Sequence, residues 1–536
     1  MATKYEFKTE PYQHQRKALA LSWNKEYFAW LMGYGTGKTK VAIDNAGILF
    51  QQKLIRALFV IAPNGVHEQW IEEQVPEHLP DFIPYTSHIW QGKSTKKYMQ
   101  EVYRFWATTP NKLMIFTMNV EALQFKKSKA FLLFQNFLAE FDTLLIVDES
   151  TRIKTPGAVR TKQIIQAGQK AKFRRILTGN EITRSPFDIY SQFEFLHKGF
   201  WRQNFHSFQN RYAEYKRNTA RIKQLKTQSN CPFCKRTIRC SVRRLSEMVF
   251  FNCPLCNKII RDPYLPPEAK KVLHKDGLYE YPTLIKYKNL EQLRSRIEPH
   301  AFRVRKRDCL DLPPKIYSHL YCKMNSEQAR IYKEMKDELF TTYNDVELTI
   351  PNKIALSVRF QQVVGGFFPE SGDPIGDKNP KIEALFYDLE DYDSDDPIIV
   401  WSRFTAEINA LWEAFRLRLP DWKVAKYYGE TPRAERTEIL NKFKEGKIQV
   451  LIGNPATAGT GLNLQRSHLH YYFSNSFKAE DRWQSEDRSH RSGQKHPCLY
   501  KDIFVKGTID DTVKKSNQEK KNFAEFFKEG ALHDLL

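Results

Sequence analysis

Short apolar runs rich in β-branched residues recur along this chain in two sets, and that rhythm constrains the fold more than any other feature. The first set is Ala57–Ala62 (ALFVIA), Leu113–Thr117 (LMIFT), Leu144–Val147 (LLIV) and Arg175–Thr178 (RILT), separated by helical stretches. Such runs read as strands buried on both faces, hence as a parallel sheet covered by helices. A second set follows in Ile398–Trp401 (IIVW), Val424–Tyr427, Gln449–Ile452 (QVLI) and His470–Phe473 (HYYF), with a helical stretch around Ser326–Phe340 ahead of it. The expected fold class is α/β, with two doubly wound parallel-sheet lobes. At roughly 150 residues per domain, 536 residues leave room for at least one further unit.

Several classes are closed off. No run of eighteen apolar residues occurs; the longest charge-free stretch, Val450–Gln465, is broken by Pro455, three glycines and two asparagines, so no membrane span is expected. The opening MATKYEFKTE has no apolar core of a secretory signal. Eight cysteines are too sparse for a disulfide framework, which points to a reducing compartment.

The charge is uneven. The chain holds 84 Lys and Arg against 62 Asp and Glu, a net of +22 that favours polyanions. Between Trp201 and Leu310, 25 Lys and Arg face nine Asp and Glu, and from Arg211 to Arg244 eleven bases meet one acid, Glu214. Trp201, Phe205, Phe208, Tyr212 and Tyr215 are interleaved with these bases, which favours nucleic acid over a plain solvated face. The six carboxylates of Asp388–Asp396 read as a surface connection.

Two motifs carry chemistry. Gly33-Tyr34-Gly35-Thr36-Gly37-Lys38-Thr39 follows the apolar Phe28–Met32 and opens a helix expected over Lys40–Phe50. In such a loop Gly35, Thr36 and Gly37 let backbone N–H groups close around phosphate oxygens, Lys38 reaches the β- and γ-phosphates of ATP, and the Thr39 hydroxyl ligates Mg²⁺. The strict G-x-x-x-x-G-K-[ST] pattern is not met, because its first position is Met32. The second motif, Leu144–Glu149 (LLIVDE), is an apolar strand ending in two carboxylates about a hundred residues later. Asp148 is expected to hold Mg²⁺ and Glu149 to orient the attacking water.

Cys231-x₂-Cys234 and Cys253-x₂-Cys256, with eighteen residues between the pairs, match the spacing of a structural zinc site. Each pair forms a Cys-Pro-x-Cys knuckle that turns both thiolates towards one Zn²⁺. Four thiolates leave no open position, so the site is expected to be structural. Cys240 and His274 are poorer candidates by spacing.

Around these motifs the chain resembles the Swi/Snf-type branch of the superfamily-two helicases. DESTRIKT (Asp148–Thr155) is similar to its DEAH-R-I-K-N box, with Thr151 in place of histidine. LFVIAPNGVHEQWIEE (Leu58–Glu73) resembles its "VAP…W…E" segment, and RRILTGNEITRSPFDIYSQFEFL (Arg174–Leu196) its "LLLTGTP" block, with Asn180-Glu181 replacing Thr-Pro. RIEPHAFRVRKRDCLDLPPK (Arg296–Lys315) resembles the bridge between lobes, and ALSVRFQQVV (Ala355–Val364) follows. IIVWSRFTAEINAL, YYGETPRAER, AGTGLNL (Ala458–Leu464) and QSEDRSHRSGQ (Gln484–Gln494) look like the second lobe's motifs, and GTIDDTV (Gly507–Val513) like the closing block. Asn454-Pro455-Ala456-Thr457 resembles bacterial and phage members more than eukaryotic remodellers.

The resemblance implies two RecA-like lobes: 1–222 as lobe 1, 223–268 as an inserted zinc ribbon, 269–318 as the end of lobe 1 and the bridge, and 319–536 as lobe 2. It implies that Arg488 and Arg491, one helical turn apart, are arginine fingers reaching the γ-phosphate, that Gln484 at the start of their helix lies near the phosphates, and that Gly461 belongs to the nucleotide site. Gln15, or alternatively Gln13, would read adenine. The implied activity is an ATP-dependent motor, a translocase on double-stranded DNA serving replication, recombination or repair. The expected form is a monomer, cytoplasmic in a bacterial or phage-infected cell or nuclear in a eukaryote. A strand-separating DNA or RNA helicase and an ATP-switched clamp that recruits a protein partner are the alternatives.

Overall fold

Each strand expected from an apolar run forms, and each falls in one of two parallel sheets. The structure is a computed structural model that describes residues 5–529 except 93–94, 108–110, 127, 183–184, 231–236, 246–247, 253–258, 262–272, 339, 345, 350–352, 391, 393–395 and 459–461. The chain divides into two units, Met1–Gln203 with Arg294–Leu536, and Asn204–Leu293.

In the larger unit, the first sheet contains β1 (Tyr27–Met32), β2 (Ala57–Ala62), β3 (Tyr85–Ile89), β4 (Leu113–Asn119), β5 (Thr143–Asp148), β6 (Phe173–Thr178) and a late return, β12 (Ala301–Val304). Their order is β12-β1-β6-β5-β2-β4-β3, all parallel. The central strands are buried on both faces, as their unbroken apolar sequence requires. Arg175 on β6 is the exception to that pattern: its guanidinium is fully buried, donates to Ser22 O at 2.8 Å and Arg174 O at 2.9 Å, and lies over the Trp30 ring. Burial pushes its pKa down to about 9.

The second sheet has the order β13-β20-β19-β16-β18-β17, again parallel, from β13 (Lys315–Cys322), β16 (Ile398–Trp401), β17 (Val424–Tyr427), β18 (Val450–Gly453), β19 (Leu469–Tyr472) and β20 (Cys498–Val505). Alternate residues of β16 serve opposite cores: Ile398 and Val400 pack with Leu411 and Phe415, Ile399 and Trp401 with Phe443 and Tyr500. This sheet starts at Lys315, inside the stretch expected to end the first lobe. A small hairpin, β14 (Phe340–Tyr343) with β15 (Val346–Thr349), follows the helix Ser326–Asp337. The expected acidic connection is partly structural, since Asp388 accepts from Tyr471 Oη and Lys501 Nζ at 2.6 Å each.

The second unit is antiparallel. Its strands β7 (Ala213–Asn230), β8 (Thr237–Leu245), β9 (Met248–Asn252), β10 (Ile259–Arg261) and β11 (Leu273–Tyr287) have the order β10-β9-β8-β7-β11. The β7–β11 pairing runs from Ala213↔Tyr287 to Lys226↔Leu273, so the unit begins at Asn204, well before the expected boundary at 223. β7 ends where β8 begins, and β9 ends where β10 begins, at the same end of this sheet. Among the described residues, no helix is long and apolar enough to cross a membrane.

Candidate active site in the interlobe cleft

The glycine-rich loop leaves β1 with no room for side chains. Gly33 N–H donates to Val304 O of β12 at 3.0 Å, and Gly35 and Gly37 take left-handed φ of 75° and 80°. A Cβ on Gly37 would lie 2.0 Å from Gln15 Nε2, and one on Gly35 3.3 Å from Arg491 Cβ. Gly37 caps the helix Lys38–Gln51, which is two residues longer at its start than expected and opens with free N–H groups suited to an anion. Thr36 Oγ1 donates to Gly33 O at 2.7 Å and Lys38 Nζ to Met32 O at 3.1 Å. Gln15 braces this loop. Its Oε1 accepts the Tyr12 N–H at 2.9 Å and its Nε2 donates to Thr36 O at 3.1 Å, whereas Gln13 is exposed.

Because β6 lies between β1 and β5, Asp148 and Glu149 stand two strands from the loop, roughly 10 Å away at ~4.8 Å per strand. Asp148 is buried; Oδ2 accepts from Trp70 Nε1 at 3.0 Å and Oδ1 from Glu149 N–H at 2.9 Å. Glu149 takes a left-handed φ of 46°, which aims its side chain off the strand direction. Its Oε2 is buried without a hydrogen-bond partner among the described residues. Burial pushes its carboxyl up to about 7, with Lys38 opposing and Asp148 assisting. Asp148 is also pushed up by burial, against Trp70 and Lys38.

The second lobe supplies the facing wall. Gln484 lies in the last turn of the helix Ala479–Glu486, not at its start, and its Nε2 donates to Tyr34 Oη at 3.4 Å. Arg488 and Arg491 do not share a helical face: the helix stops at Glu486 and both arginines lie in the turns beyond it. Tertiary partners have taken the backbone there. Leu464 N–H donates to Arg488 O at 3.1 Å and Lys306 Nζ to His490 O at 2.5 Å. Burial and the neighbouring Arg491 pull the Arg488 pKa down to about 10, while Glu149 and Asp487 oppose. Glu77 and Glu73 of the first lobe supply negative charge towards Arg491.

These groups converge. Gly35, Gly37, Lys38, Thr39, Asp148, Glu149, Gln15, Gln484, Arg488 and Arg491 line one cavity of about 1020 Å³. Gly461 and the four cysteines Cys231, Cys234, Cys253 and Cys256 lie outside the described residues. Among the described residues there is no cluster of three His, Cys, Asp or Glu able to hold a metal ion. Thr39 and Asp148 nevertheless offer the oxygen donors that Mg²⁺ takes alongside water and phosphate, and each Asp148 oxygen keeps acceptor capacity beyond its one hydrogen bond.

Three features escaped the sequence reading. Trp70 orients Asp148; it stood in the Leu58–Glu73 segment, but nothing local assigned its indole a partner. Tyr34 packs on Gly179, where a Cβ would lie 2.8 Å from its ring. Glu181, in the altered Asn180-Glu181 pair, is buried and bound by Arg303 of β12 at 2.6 Å, while Asn180 N–H donates to Thr178 Oγ1 at 3.2 Å.

The fold and cleft define a class: a two-lobed, parallel-sheet protein whose phosphate-loop-like turn and Asp-Glu strand end face arginines from the other lobe. The model of the SNF2-related domain matches residues 31–356, and that of the helicase conserved C-terminal domain residues 378–493. The chain belongs to the SNF2-related family. An uncharacterized ATP-dependent helicase of Mycoplasma pneumoniae is 24% identical over 232 residues, covering 42% of this chain and 22% of that protein. Protein CHROMATIN REMODELING 24 of Arabidopsis thaliana is 20% identical over 524 residues, covering 94% of this chain and 45% of that one. This chain therefore spans less than half the length of either relative. The Sulfolobus solfataricus SWI2/SNF2 ATPase core in complex with dsDNA aligns over 99% of this chain and 96% of that chain at 18% identity, with a TM-score of 0.38.

Proposed function

We propose that this chain is an ATP hydrolase that acts as a monomeric motor on double-stranded DNA. Glu149 carries the reading: an unpartnered, buried carboxylate oxygen with its carboxyl raised to about 7, beside Asp148 and facing Arg488, suits a group that takes a proton from attacking water near neutral pH. Lys38 and the N–H groups at the start of its helix bind the β- and γ-phosphates, and Arg488 and Arg491 stabilise charge that develops as the water oxygen bonds to phosphorus and the bond to ADP breaks. Thr39 and Asp148 hold Mg²⁺, which when bound neutralises phosphate charge. Gln15 positions the loop from the base side, and Gly461, outside the described residues, is assigned to nucleotide binding from its motif alone.

Family membership and the basic balance of the chain support DNA as the track. The Asn180-Glu181 pair that replaces Thr-Pro has a structural use, since Glu181 ties the loop after β6 to Arg303 of β12. The deciding experiment is ATP turnover with and without duplex DNA. Stimulation by duplex is expected; a rate indifferent to duplex DNA, single-stranded DNA and RNA would sink the motor reading, and stimulation by single strands or RNA alone would move the track.

The inserted unit is proposed to bind one Zn²⁺ through Cys231, Cys234, Cys253 and Cys256. The support is the pair of Cys-Pro-x-Cys knuckles, which fall in the sequence between β7 and β8 and between β9 and β10. Elemental analysis of protein purified without chelator should find one zinc per chain, and none would end the proposal. Cys253→Ser with Cys256→Ser should weaken DNA binding and flatten its salt dependence; an unchanged slope would leave the ribbon a protein-docking element.

A further inference from the structure

The bridge between the lobes buttresses the arginine turn as well as connecting two domains. β12 pairs in parallel with β1, so Val304 is fixed beside Met32 and receives the Gly33 N–H. Two residues later Lys306 must therefore emerge directly beneath the glycine loop. A Cβ on Gly33 would meet Lys306 N at 3.1 Å, and one on Gly35 would meet Lys306 Cε at 3.5 Å and Arg491 Cβ at 3.3 Å. The lysine side chain thus runs along the underside of the loop, in space that the glycines leave open. Its ammonium is buried and crosses to the second lobe, donating to Asp487 Oδ1 and to His490 O at 2.5 Å each. Those two acceptors bracket Arg488 and immediately precede Arg491.

The rest of the bridge reinforces the same turn. His490 Nε2 lies 2.8 Å from Pro313 O, Lys315 Nζ donates to Glu486 and Asp487 at 3.0 and 3.1 Å, and Tyr317 Oη donates to Glu486 at 2.8 Å. Burial alone would raise the Glu486 and Asp487 carboxyls; Lys315 and their other cations reverse this and hold both at about 2, so the acceptors stay ionised throughout the working range. The regular helix ends at Glu486, and beyond it these tertiary bonds add to local ones such as His490 N–H to Glu486 O at 3.1 Å in shaping the turn.

We propose that Lys306 is a positioning residue that ties the phosphate loop of one lobe to the arginine turn of the other, setting where Arg488 and Arg491 stand relative to the γ-phosphate. This rests on the ATP hydrolase reading above. Lys306 does not line the cleft cavity; it acts through Asp487 and the His490 carbonyl. Asp487 is shared with Lys315, so the turn should shift rather than collapse when Lys306 is lost.

The experiment is a double-mutant cycle in the full chain with Lys306→Met and Asp487→Asn, measuring ATP turnover with saturating duplex DNA alongside the dissociation constant of a fluorescent ADP analogue. Lys306→Met should lower kcat by about 10²-fold, the usual cost of misplacing a transition-state group by about an ångström, while the ADP constant holds. In the Asp487→Asn background the same change should cost well below its effect alone, because the Lys306–Asp487 link is already broken and only the bond to the His490 carbonyl is left to lose. If Lys306→Met fails to fold, Asp487→Asn reads the same kcat loss from the opposite lobe. A kcat within about twofold of wild type, losses that multiply in the double variant, or a matching loss of ADP binding would each overturn the proposal. A wild type with no ATP turnover would instead overturn the hydrolase reading itself.

Discussion

The two lobes share an architecture but present their functional groups by different means. In the first lobe the phosphate loop and the acidic pair sit at or next to the ends of buried parallel strands, the loop after β1 and Asp148 ending β5, while Gln15 reaches the loop from the helix Gln13–Ser22. Strand ends are fixed by the core, so local sequence suffices to place them. In the second lobe, Arg488 and Arg491 lie in turns past a helix and are held by ion pairs from residues 306, 315 and 482. In the proposed function, the first lobe is a binding surface with a primed base and the second delivers charge from outside. Lobe 2 contacts should therefore count in the transition state more than in the ground state.

That difference is broken most directly at Arg488. Arg488→Ala should lower kcat by ~10³–10⁵-fold while ADP affinity stays near wild type. Loss of ADP binding with kcat intact would mean that the second lobe binds rather than activates. Next in size is a pair of first-lobe changes. Glu149→Gln should reduce kcat by ~10²–10⁴-fold with nucleotide still bound, whereas Lys38→Ala should lose the nucleotide as well. Equilibrium binding of a labelled nucleotide separates the two, and equal affinity in both variants would contradict the assigned roles.

How far the sequence could be read follows the same division. The strands ALFVIA, LLIV and IIVW are legible because burial on both faces leaves an apolar run, while VAKY is a half-buried edge strand; all four form within a residue or two of the expected bounds. β13 (KIYSHLYC) was not legible: it is an edge strand with exposed Ile316, Tyr317 and Tyr321, so it carries mixed polar residues. Lys38, Asp148 and Glu149 were legible for a local reason, since glycines before a lysine and acids ending a strand are short motifs. The helix end at Glu486 was not, because Lys306 and Leu464, which capture the backbone carbonyls of His490 and Arg488 beyond it, lie 184 and 24 positions away in sequence. Periodicity sees only neighbours within a turn or two.

A third prediction concerns stability rather than rate. Arg482 is buried, donates to Glu486 at 2.7 Å and Asp502 at 2.5 Å, and stacks on Tyr472. Arg482→Met should destabilise the second lobe by ~3–5 kcal/mol, because buried Asp502 and Glu486 each lose a hydrogen-bonded cation. If the lobes are held together by as different a set of forces as proposed, hydrogen exchange should speed up in β19 and β20 while β2 and β5 keep their protection. Equal loss of protection in both sheets would show that the lobes unfold as one unit and that the contrast is confined to the active cleft.

The smallest expected effect is a pH dependence of opposite sign in the two walls of the cleft. Glu149 is raised from an ordinary 4.5 to about 7, chiefly by burial. A raised carboxyl stabilises the fold fully below pH 4.5, and that contribution is lost as the pH climbs through about 7, where folding must bury a charge. Glu486 behaves in reverse: held at about 2, it contributes above pH 4.5 and fades as the pH falls towards 2. Glu149→Gln, neutral at every pH, should therefore match wild type in thermal stability near pH 4.5 and exceed it at pH 8, by no more than about 3 kcal/mol at ~1.4 kcal/mol per unit. The gap should open between pH 5 and 7. A gap that is constant from pH 4.5 to 8 would mean that Glu149 titrates normally, and the case for it as a base poised near neutrality would fall with it.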